Sequence, residues 1–228
     1  MERIVDSKPE VVTLLDTQYR MNEEIMRFSS SWFYDGKVKA APITAHRGIL
    51  DYDTPIEWVD DVANDDETVG ETFVGETFGR INKVEARQVM ELLQAYFEKI
   101  GKQRIIDESI DVGIISPYRA QVQYLRHLIK KEAFFKPFRH LLSVNTVDGF
   151  QGQERDVIIV SLVRSNNDGQ IGFLRDLRRM NVAMTRARSK LIIIGDHETL
   201  AHHEFYKKLY EYLKSATTRL YDTEAKII

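Results

Sequence analysis

Runs of consecutive apolar residues recur along the chain, each flanked by polar turn residues. Three of them cover residues 112–115, 157–163 and 191–194, and the second begins with four β-branched residues in succession. A strand buried on both faces of a parallel sheet lacks polar alternation, because helices cover both faces. Shorter apolar segments at residues 11–15 and 56–59 extend the pattern. The chain is therefore predicted to contain a mainly parallel central sheet.

Segments with helical periodicity lie between these runs. In residues 82–100 the apolar side chains form one stripe, Asn82 and Glu85 have the spacing of a capping box, and Gly101 can end the helix. The same periodicity predicts further helices after Asn22, after Tyr118, over residues 173–188 and over residues 198–221. Strands that alternate with helices in this way indicate an α/β fold in which helices flank the sheet.

A polar loop and a group of arginines carry the candidate chemistry. The loop at residues 148–154 contains Gly149 and Gly152, which allow backbone amides to approach a ligand closely. Five arginines follow between Arg175 and Arg188. A solvated basic helix is the ordinary interpretation of such a cluster. The segment returns directly to a buried strand, however, and guanidinium groups held rigidly in this way are suited to binding phosphate oxygens.

The charge of the chain is unevenly distributed. Its net charge is −3, yet residues 117–190 contain 14 lysines and arginines against 6 aspartates and glutamates, so this part carries +8 and the remainder −11. A basic half can attract a polyanion, although charge alone does not say which one.

At these residues the sequence resembles a known family. Four ordered segments are similar to motifs of superfamily 1 helicases, in the branch that includes the nonsense-mediated-decay helicase and senataxin: TQYRMNEEIMRFSSSWFYDGKV (17–38), VGIISPYRAQVQYL (112–125), TVDGFQGQERDVIIVSLVRSN (146–166) and RRMNVAMTRAR (178–188). The resemblance covers nearly the whole chain and only the second motor domain of such a helicase. It implies a RecA-like three-layer domain, which is the P-loop NTPase fold without its P-loop half.

The resemblance also implies roles for five residues at a nucleotide. Arg20 and Arg186 match the arginine fingers that reach the γ-phosphate, and Tyr19 matches the residue that stacks on adenine. Glu154 matches the acid that contacts ribose, and Gly152 lies where the backbone nears the γ-phosphate. Taken alone, Tyr19 and Arg20 would be interpreted as an ordinary surface pair beside a helix start.

Three further residues match positions that contact nucleic acid. Ser116 and Thr146 match residues that hold the backbone of the strand. Ser116 and Tyr118 follow a strand and precede a helix, where a hydroxyl can bind a phosphate and an aromatic ring can stack on a base. The alternative is structural, with Ser116 as a helix N-cap and Pro117 at the first helical position.

The chain contains no GxxxxGK[ST] segment, which a nucleoside triphosphatase needs to hold the β and γ phosphates with magnesium. We therefore expect the isolated domain to be inactive, and ATP to bind with Mg²⁺ whose ligands lie on a first RecA-like domain upstream. The resemblance implies translocation from 5′ to 3′ along single-stranded DNA or RNA. A binding module that has lost hydrolysis is the alternative function.

Residues 1–228 are expected to form one such domain with an acidic surface insertion around residues 60–80. That insertion contains a duplicated VGETF segment, to which we assign no chemistry. The chain has no cysteine, no apolar run long enough to span a membrane and no signal-peptide pattern at its start. We expect a monomer in the cytoplasm, or in the nucleus of a eukaryotic cell, that binds no metal through its own side chains.

Overall fold

A parallel five-stranded sheet forms the centre of the domain. The computed structural model describes residues 15–61, 70–75 and 79–224. All neighbouring strands of the central sheet are parallel, in the order β3-β9-β8-β6-β7. These strands are β3 (Ile56–Asp60), β6 (Val112–Ile115), β7 (Leu142–Asn145), β8 (Arg155–Ser161) and β9 (Ala187–Gly195). The predicted parallel sheet is confirmed, and the predicted strand at residues 11–15 lies almost wholly outside the described residues.

Two small sheets lie beside the central one. One pairs β1 (Thr17–Gln18) with β2 (Lys39–Ala40), and the other is the antiparallel hairpin of β4 (Thr72–Val74) and β5 (Gly79–Ile81). The hairpin occupies the acidic insertion, and residues 69 and 76–78 of the duplicated VGETF segment fall outside the described residues.

Helices cover both faces of the central sheet. The helices are α1 (Glu23–Phe33), α2 (Pro42–Ala45), α3 (Lys83–Ile100), α4 (Lys102–Asp107), α5 (Arg119–Lys131), α6 (Leu177–Met184), α7 (His197–Leu200) and α8 (Glu204–Glu224). Helices α1, α6 and α8 pack on one face, against Ile158 and Val160 of β8. Helices α3 and α5 pack on the other, against Val157 and Ile159. Because alternate side chains of a strand point to opposite faces, the β-branched run supplies both hydrophobic cores.

Helix caps lie where the sequence predicts them, although one works differently. The Asn22 side chain accepts from the Glu24 amide at 2.8 Å, and the Asn82 side chain accepts from the Glu85 amide at 3.1 Å. The reciprocal half of the predicted capping box is wrong. The Glu85 carboxylate turns into the core and accepts from Ser161 Oγ at 2.6 Å and from the Val163 amide at 2.8 Å.

The basic segment at residues 173–188 is not one helix. A 3₁₀ turn covers Gly172–Arg175, and α6 begins only after Asp176, whose side chain accepts from the Arg179 amide at 3.3 Å. The predicted helical end belongs instead to β9, because Ala187 pairs with Arg155 in the sheet. Sheet pairing of a buried strand thus overrides the helical periodicity that precedes it.

The predicted C-terminal helix over residues 198–221 is divided into α7 and α8. The His203 amide bonds to the Leu200 carbonyl at 3.0 Å, which tightens the chain into a turn between them. After the turn, α8 directs Phe205 and Leu209 into the core. None of the helices in the described part of the chain is long and apolar enough to cross a membrane.

Candidate nucleotide and nucleic-acid site

The predicted nucleotide residues meet at the amino edge of the sheet, the edge at which the parallel strands begin. Glu154 immediately precedes β8, and Arg186 immediately precedes β9, its neighbour in the sheet. Arg20 reaches the same edge from the loop after β1. Residues distant in sequence are therefore brought together by the pairing of two adjacent strands.

Arg20 is held by contacts on both sides of its side chain and on its backbone. Its guanidinium forms an ion pair with Glu154 through Nε and donates from Nη1 to the Thr185 carbonyl at 3.1 Å. Arg47 donates to the Arg20 carbonyl at 2.8 Å. Arg20 and Glu154 remain 36% and 40% exposed, so a ligand can reach the pair. Sequence analysis did not identify Arg47, because no local pattern marks a residue that acts through a backbone carbonyl.

Arg186 is oriented by neutral groups. It donates from Nε to the Val182 carbonyl at 3.0 Å and from Nη1 to the Gln153 carbonyl at 3.3 Å. Within the described residues, no carboxylate lies within ion-pair distance of it. Burial, and then the positive charge of Arg20, lower the pKa of Arg186. An anion at this position would relieve both effects, because it would offset the desolvation and screen the two guanidinium groups from each other.

Arg188 lies two residues further along and has a different environment. It donates from Nη2 to Asp111 at 2.9 Å and lies 3.0 Å from Asp156. Its backbone carbonyl accepts from the Asn22 amide at 2.8 Å. Arg188 thus connects Asp111, which precedes β6, with Asp156 in β8 and with Asn22 at the start of α1. Arg186, by contrast, is available to a phosphate.

Tyr19 and Gly152 lie on exposed parts of this edge. The Tyr19 side chain is 69% exposed, as a ring must be if it is to stack on a base. Gly152 has a φ of +77°, which favours glycine, and it precedes Gln153, whose carbonyl contacts Arg186. Gly152 is therefore the neighbour in sequence of a residue that contacts the arginine assigned by the resemblance to the γ-phosphate.

The predicted nucleic-acid residues lie at the carboxyl edge, where the strands end. Ser116 follows β6 and Thr146 follows β7, and these two strands are neighbours in the sheet. Thr146 is half-buried, but Ser116 is fully buried and accepts from the Tyr118 amide at 3.4 Å. Tyr118 is 6% exposed, so its ring is covered, and it caps α5 without a side-chain hydrogen bond.

The ring that covers Tyr118 is Phe173. The two ring centroids are 5.6 Å apart, and Phe173 is 67% exposed. The predicted nucleic-acid residues thus lie together at one edge of the sheet, while the aromatic side chain open to a ligand there comes from the 3₁₀ turn after β8. A phenylalanine next to a glycine in a polar segment was the available signal, and the prediction of a helix there concealed it.

One segment connects the two edges. Residues 146–154 run from Thr146 at the carboxyl edge to Glu154 at the amino edge, and the buried Phe150 anchors the segment midway. At Gly149 a Cβ atom would collide with Cγ of Asn145, so the Asn145 side chain would have to move to admit any other residue. Residues 146–154 thus form a continuous covalent connection between the two edges.

The arrangement at the amino edge fits the phosphates of a nucleotide. Two half-buried guanidinium groups lie at this edge near a glycine, and one of these guanidinium groups has only neutral partners among the described residues. Within the same described part of the chain, no group of three or more His, Asp and Glu side chains is placed to hold a metal ion.

The chain matches a protein family described as "AAA domain" over residues 1–198. An uncharacterized ATP-dependent helicase of Methanocaldococcus jannaschii is 37% identical over 94% of this chain and 31% of its own length. The helicase SEN1 of Saccharomyces cerevisiae is 36% identical over 91% of this chain and 9% of its own length. A Neurospora crassa homolog of regulator of nonsense transcripts 1 is 33% identical over 88% of this chain and 18% of its own length.

The chain thus spans less than a third of each of these relatives. The match to them confirms the resemblance that the four sequence motifs indicate. The chain belongs to the AAA domain family, and it corresponds to the C-terminal motor domain of superfamily 1 helicases.

Proposed function

We propose that this domain is the second half of an ATP-driven motor that moves along single-stranded nucleic acid from 5′ to 3′. The first RecA-like domain, upstream, would hold ATP through a phosphate loop together with Mg²⁺. The present domain would close on that nucleotide and supply Arg20 and Arg186 to its γ-phosphate. Tyr19 would stack on adenine, Glu154 would contact ribose, and the backbone at Gly152 would lie beside the phosphates.

The observation that carries the proposal is the environment of Arg186. Its side chain is aimed by the Val182 and Gln153 carbonyls, and burial together with the positive charge of the nearby Arg20 disfavours its own charge. Such an arrangement is unfavourable for the free domain and becomes favourable when an anion arrives. Charge held ready for a phosphoryl group stabilises the transition state of its transfer, because little rearrangement is then needed.

At the carboxyl edge, Thr146 would hold the backbone of the strand, with Ser116 and Tyr118 shaping the surface around it. Opening and closing of the cleft between the two motor domains would shift these contacts along the strand. The segment from Thr146 to Glu154 would couple that movement to the nucleotide. We propose a monomeric motor, acting on DNA or RNA in the cytoplasm or, in a eukaryote, in the nucleus.

The test compares ATP turnover by this chain alone and by the same chain joined to its upstream motor domain. The chain alone should be inactive, and the joined protein should hydrolyse ATP faster when single-stranded nucleic acid is added. Turnover by the chain alone at a rate equal to that of the joined protein would overturn the proposal. An inactive joined protein that still binds nucleic acid would favour a binding module that has lost hydrolysis.

A further inference from the structure

We propose that Phe173 is the side chain on which an unpaired nucleobase stacks, in a cleft between the β4–β5 hairpin and the start of α5. This inference rests on the proposed function, since it concerns the strand that the domain would hold. It goes beyond that function by assigning a contact to a residue and a surface to which neither the motifs nor the comparisons give a role.

Phe173 is largely exposed to solvent. Its side chain is 67% exposed, and its other side rests on Tyr118 with a tilt of 43° between the two ring planes. A single exposed apolar side chain needs no explanation by itself. The way in which the backbone and the neighbouring side chains fix this ring is more informative.

Buried side chains packed beneath the turn that carries Phe173 restrict its conformation. Gly172 has a φ of +54°, and a Cβ atom there would collide with the Arg164 guanidinium and lie 2.9 Å from the Tyr118 hydroxyl. Arg164 is 4% exposed and lies 2.5 Å from Glu71 of the hairpin segment. Its Nη1 lies 3.5 Å from the Tyr118 hydroxyl. A buried ion pair therefore supports the aromatic pair, and only glycine can lie above it.

The same turn is also fixed from the other side. The hydroxyl of Tyr206, a buried residue of α8, donates to the Leu174 carbonyl at 2.7 Å. Burial raises the pKa of Tyr206, so this hydroxyl keeps its proton and remains a donor. Gly172 and Leu174, the residues on either side of Phe173, are both fixed by these contacts. The Phe173 ring is therefore presented in one position with little conformational freedom. A preorganised aromatic face loses less entropy when a base stacks on it.

The cleft beside Phe173 has the size and polarity to accept part of a strand. Its volume is about 610 Å³, within the usual range for ligand sites. Val74 and Arg80 of the hairpin form one wall, and Thr146 lies in it as well. The cleft thus adjoins the residue that the resemblance assigns to the nucleic-acid backbone.

The charges around the cleft suit a phosphate next to the stacked base. Arg119 is exposed and has no ion-pair partner among the described residues. Arg179 is also exposed, and it is shared between Asp176 at 3.3 Å and Asp148 at 3.7 Å. Asp148 is the one carboxylate among the described residues that line the cleft, and Arg80 is paired with Glu71. The lining therefore has an excess of positive charge.

In this arrangement the acidic β4–β5 hairpin supports the stacking surface. Its Glu71 holds Arg164 beneath Tyr118, and its strands β4 and β5 close one side of the cleft. Sequence analysis assigned no chemistry to the duplicated segment of this insertion. The structure assigns it the support of the stacking surface.

The test measures binding of a fluorescein-labelled single strand of about 12 nucleotides, a length within the range that one binding module covers. The 228-residue chain is compared with the variants Phe173→Ala, Phe173→Tyr and Phe173→Leu. We expect Phe173→Ala to weaken binding roughly tenfold, the typical effect of losing one base-stacking aromatic side chain. Phe173→Tyr should restore affinity, while Phe173→Leu, which is apolar but cannot stack, should not.

Matched controls separate the possible outcomes. Tyr52→Ala removes another exposed aromatic side chain, one outside the cleft, and should leave binding unchanged. The salt dependence of binding should be the same for Phe173→Ala and the unaltered chain, because no phosphate contact is lost. Equal affinity of Phe173→Ala and the unaltered chain would overturn the inference alone. Failure of the unaltered chain to bind any single strand would overturn the proposed nucleic-acid contact together with it.

Discussion

Arg20 and Glu154 form an ion pair across 134 positions of sequence, at the edge where the strands of the central sheet begin. The pair compensates one of the two arginines and leaves Arg186 with neutral partners. The two arginines of the candidate site are therefore not equivalent. In the closed motor, Arg20 would exchange a carboxylate for phosphate oxygens, whereas Arg186 would gain its first anionic partner.

The position of Tyr19 predicts an effect on ATP affinity in the protein that joins this chain to its upstream motor domain. We expect Tyr19→Ala to weaken ATP binding roughly tenfold through loss of stacking on the base, and Tyr19→Phe to bind normally. Titration with a fluorescent ATP analogue measures this. Equal affinity in the alanine variant would remove Tyr19 from the site.

The basic half of the domain predicts salt-dependent binding of single strands by the chain alone. Binding should weaken steeply with salt, because each phosphate contact releases counterions. Arg179→Gln should lower the slope of log affinity against log salt by roughly 1. Anisotropy titrations at several salt concentrations give the slope, and an affinity independent of salt would contradict an electrostatic contact.

The buried Lys190 predicts a large effect on stability. It is 2% exposed and lies 2.9 Å from Asp53 and 3.1 Å from Glu57, so it fixes the loop before β3. Lys190→Met should lower the free energy of unfolding by about 1.5–3 kcal/mol, because the partly exposed Asp53 and Glu57 lose a charged hydrogen-bond partner. The exposed Arg27, paired within α1, offers a control whose loss should cost at most about 1 kcal/mol.

Urea unfolding of the two variants measures this difference. Similar losses for Lys190→Met and Arg27→Ala would show that the interaction of Lys190 with Asp53 and Glu57 does not stabilise the fold.

Because Glu85 is buried, we predict that the free energy of unfolding depends on pH. Burial, and then the charge of Asp61, raise the pKa of Glu85 well above its ordinary value of 4.5. As pH rises above 4.5, the unfolded chain releases this proton while the folded chain retains it, so the free energy of unfolding should fall until the folded pKa is passed. Glu85→Gln should remove that part of the slope.

Urea unfolding of the unaltered chain and of Glu85→Gln at pH 5, 6 and 7 isolates the contribution, since the other titrating groups are common to both. Identical slopes would contradict the raised pKa. Retention of the hydrogen bonds from Ser161 and Val163 should keep the glutamine variant folded.

Much of the fold follows from local patterns in the sequence. The apolar runs at β8 and β9 were identified as strands because a strand that is covered on both faces consists almost entirely of β-branched and other apolar residues. Asn22 and Asn82 cap helices as expected, since a short amide side chain next to free backbone amides has few better partners. Arg20 and Arg186 were named because the segments that contain them resemble motifs of the helicase family.

Other features depend on contacts that sequence spacing does not reveal. Helix α6 is short because Asp176 begins it late and the pairing of β9 ends it early. Tyr118 is covered rather than exposed because a turn from after β8 lies over it. Val163 adopts a φ of +73°, unusual for a β-branched residue, because its amide is held by Glu85 from another helix. Each of these outcomes is decided by a residue distant in sequence.

The role of Arg186 is the central claim, and single-turnover hydrolysis of bound ATP in the intact motor tests it most directly. Arg186→Ala should reduce the rate of hydrolysis by roughly 10³-fold or more, the range for an arginine finger, while ATP binding in the ground state changes much less. Arg104→Ala removes a surface arginine that forms an ion pair with Glu108 at the end of its own helix, and it serves as the matched control. A rate in Arg186→Ala close to that of the unaltered protein, with ATP bound, would contradict the account.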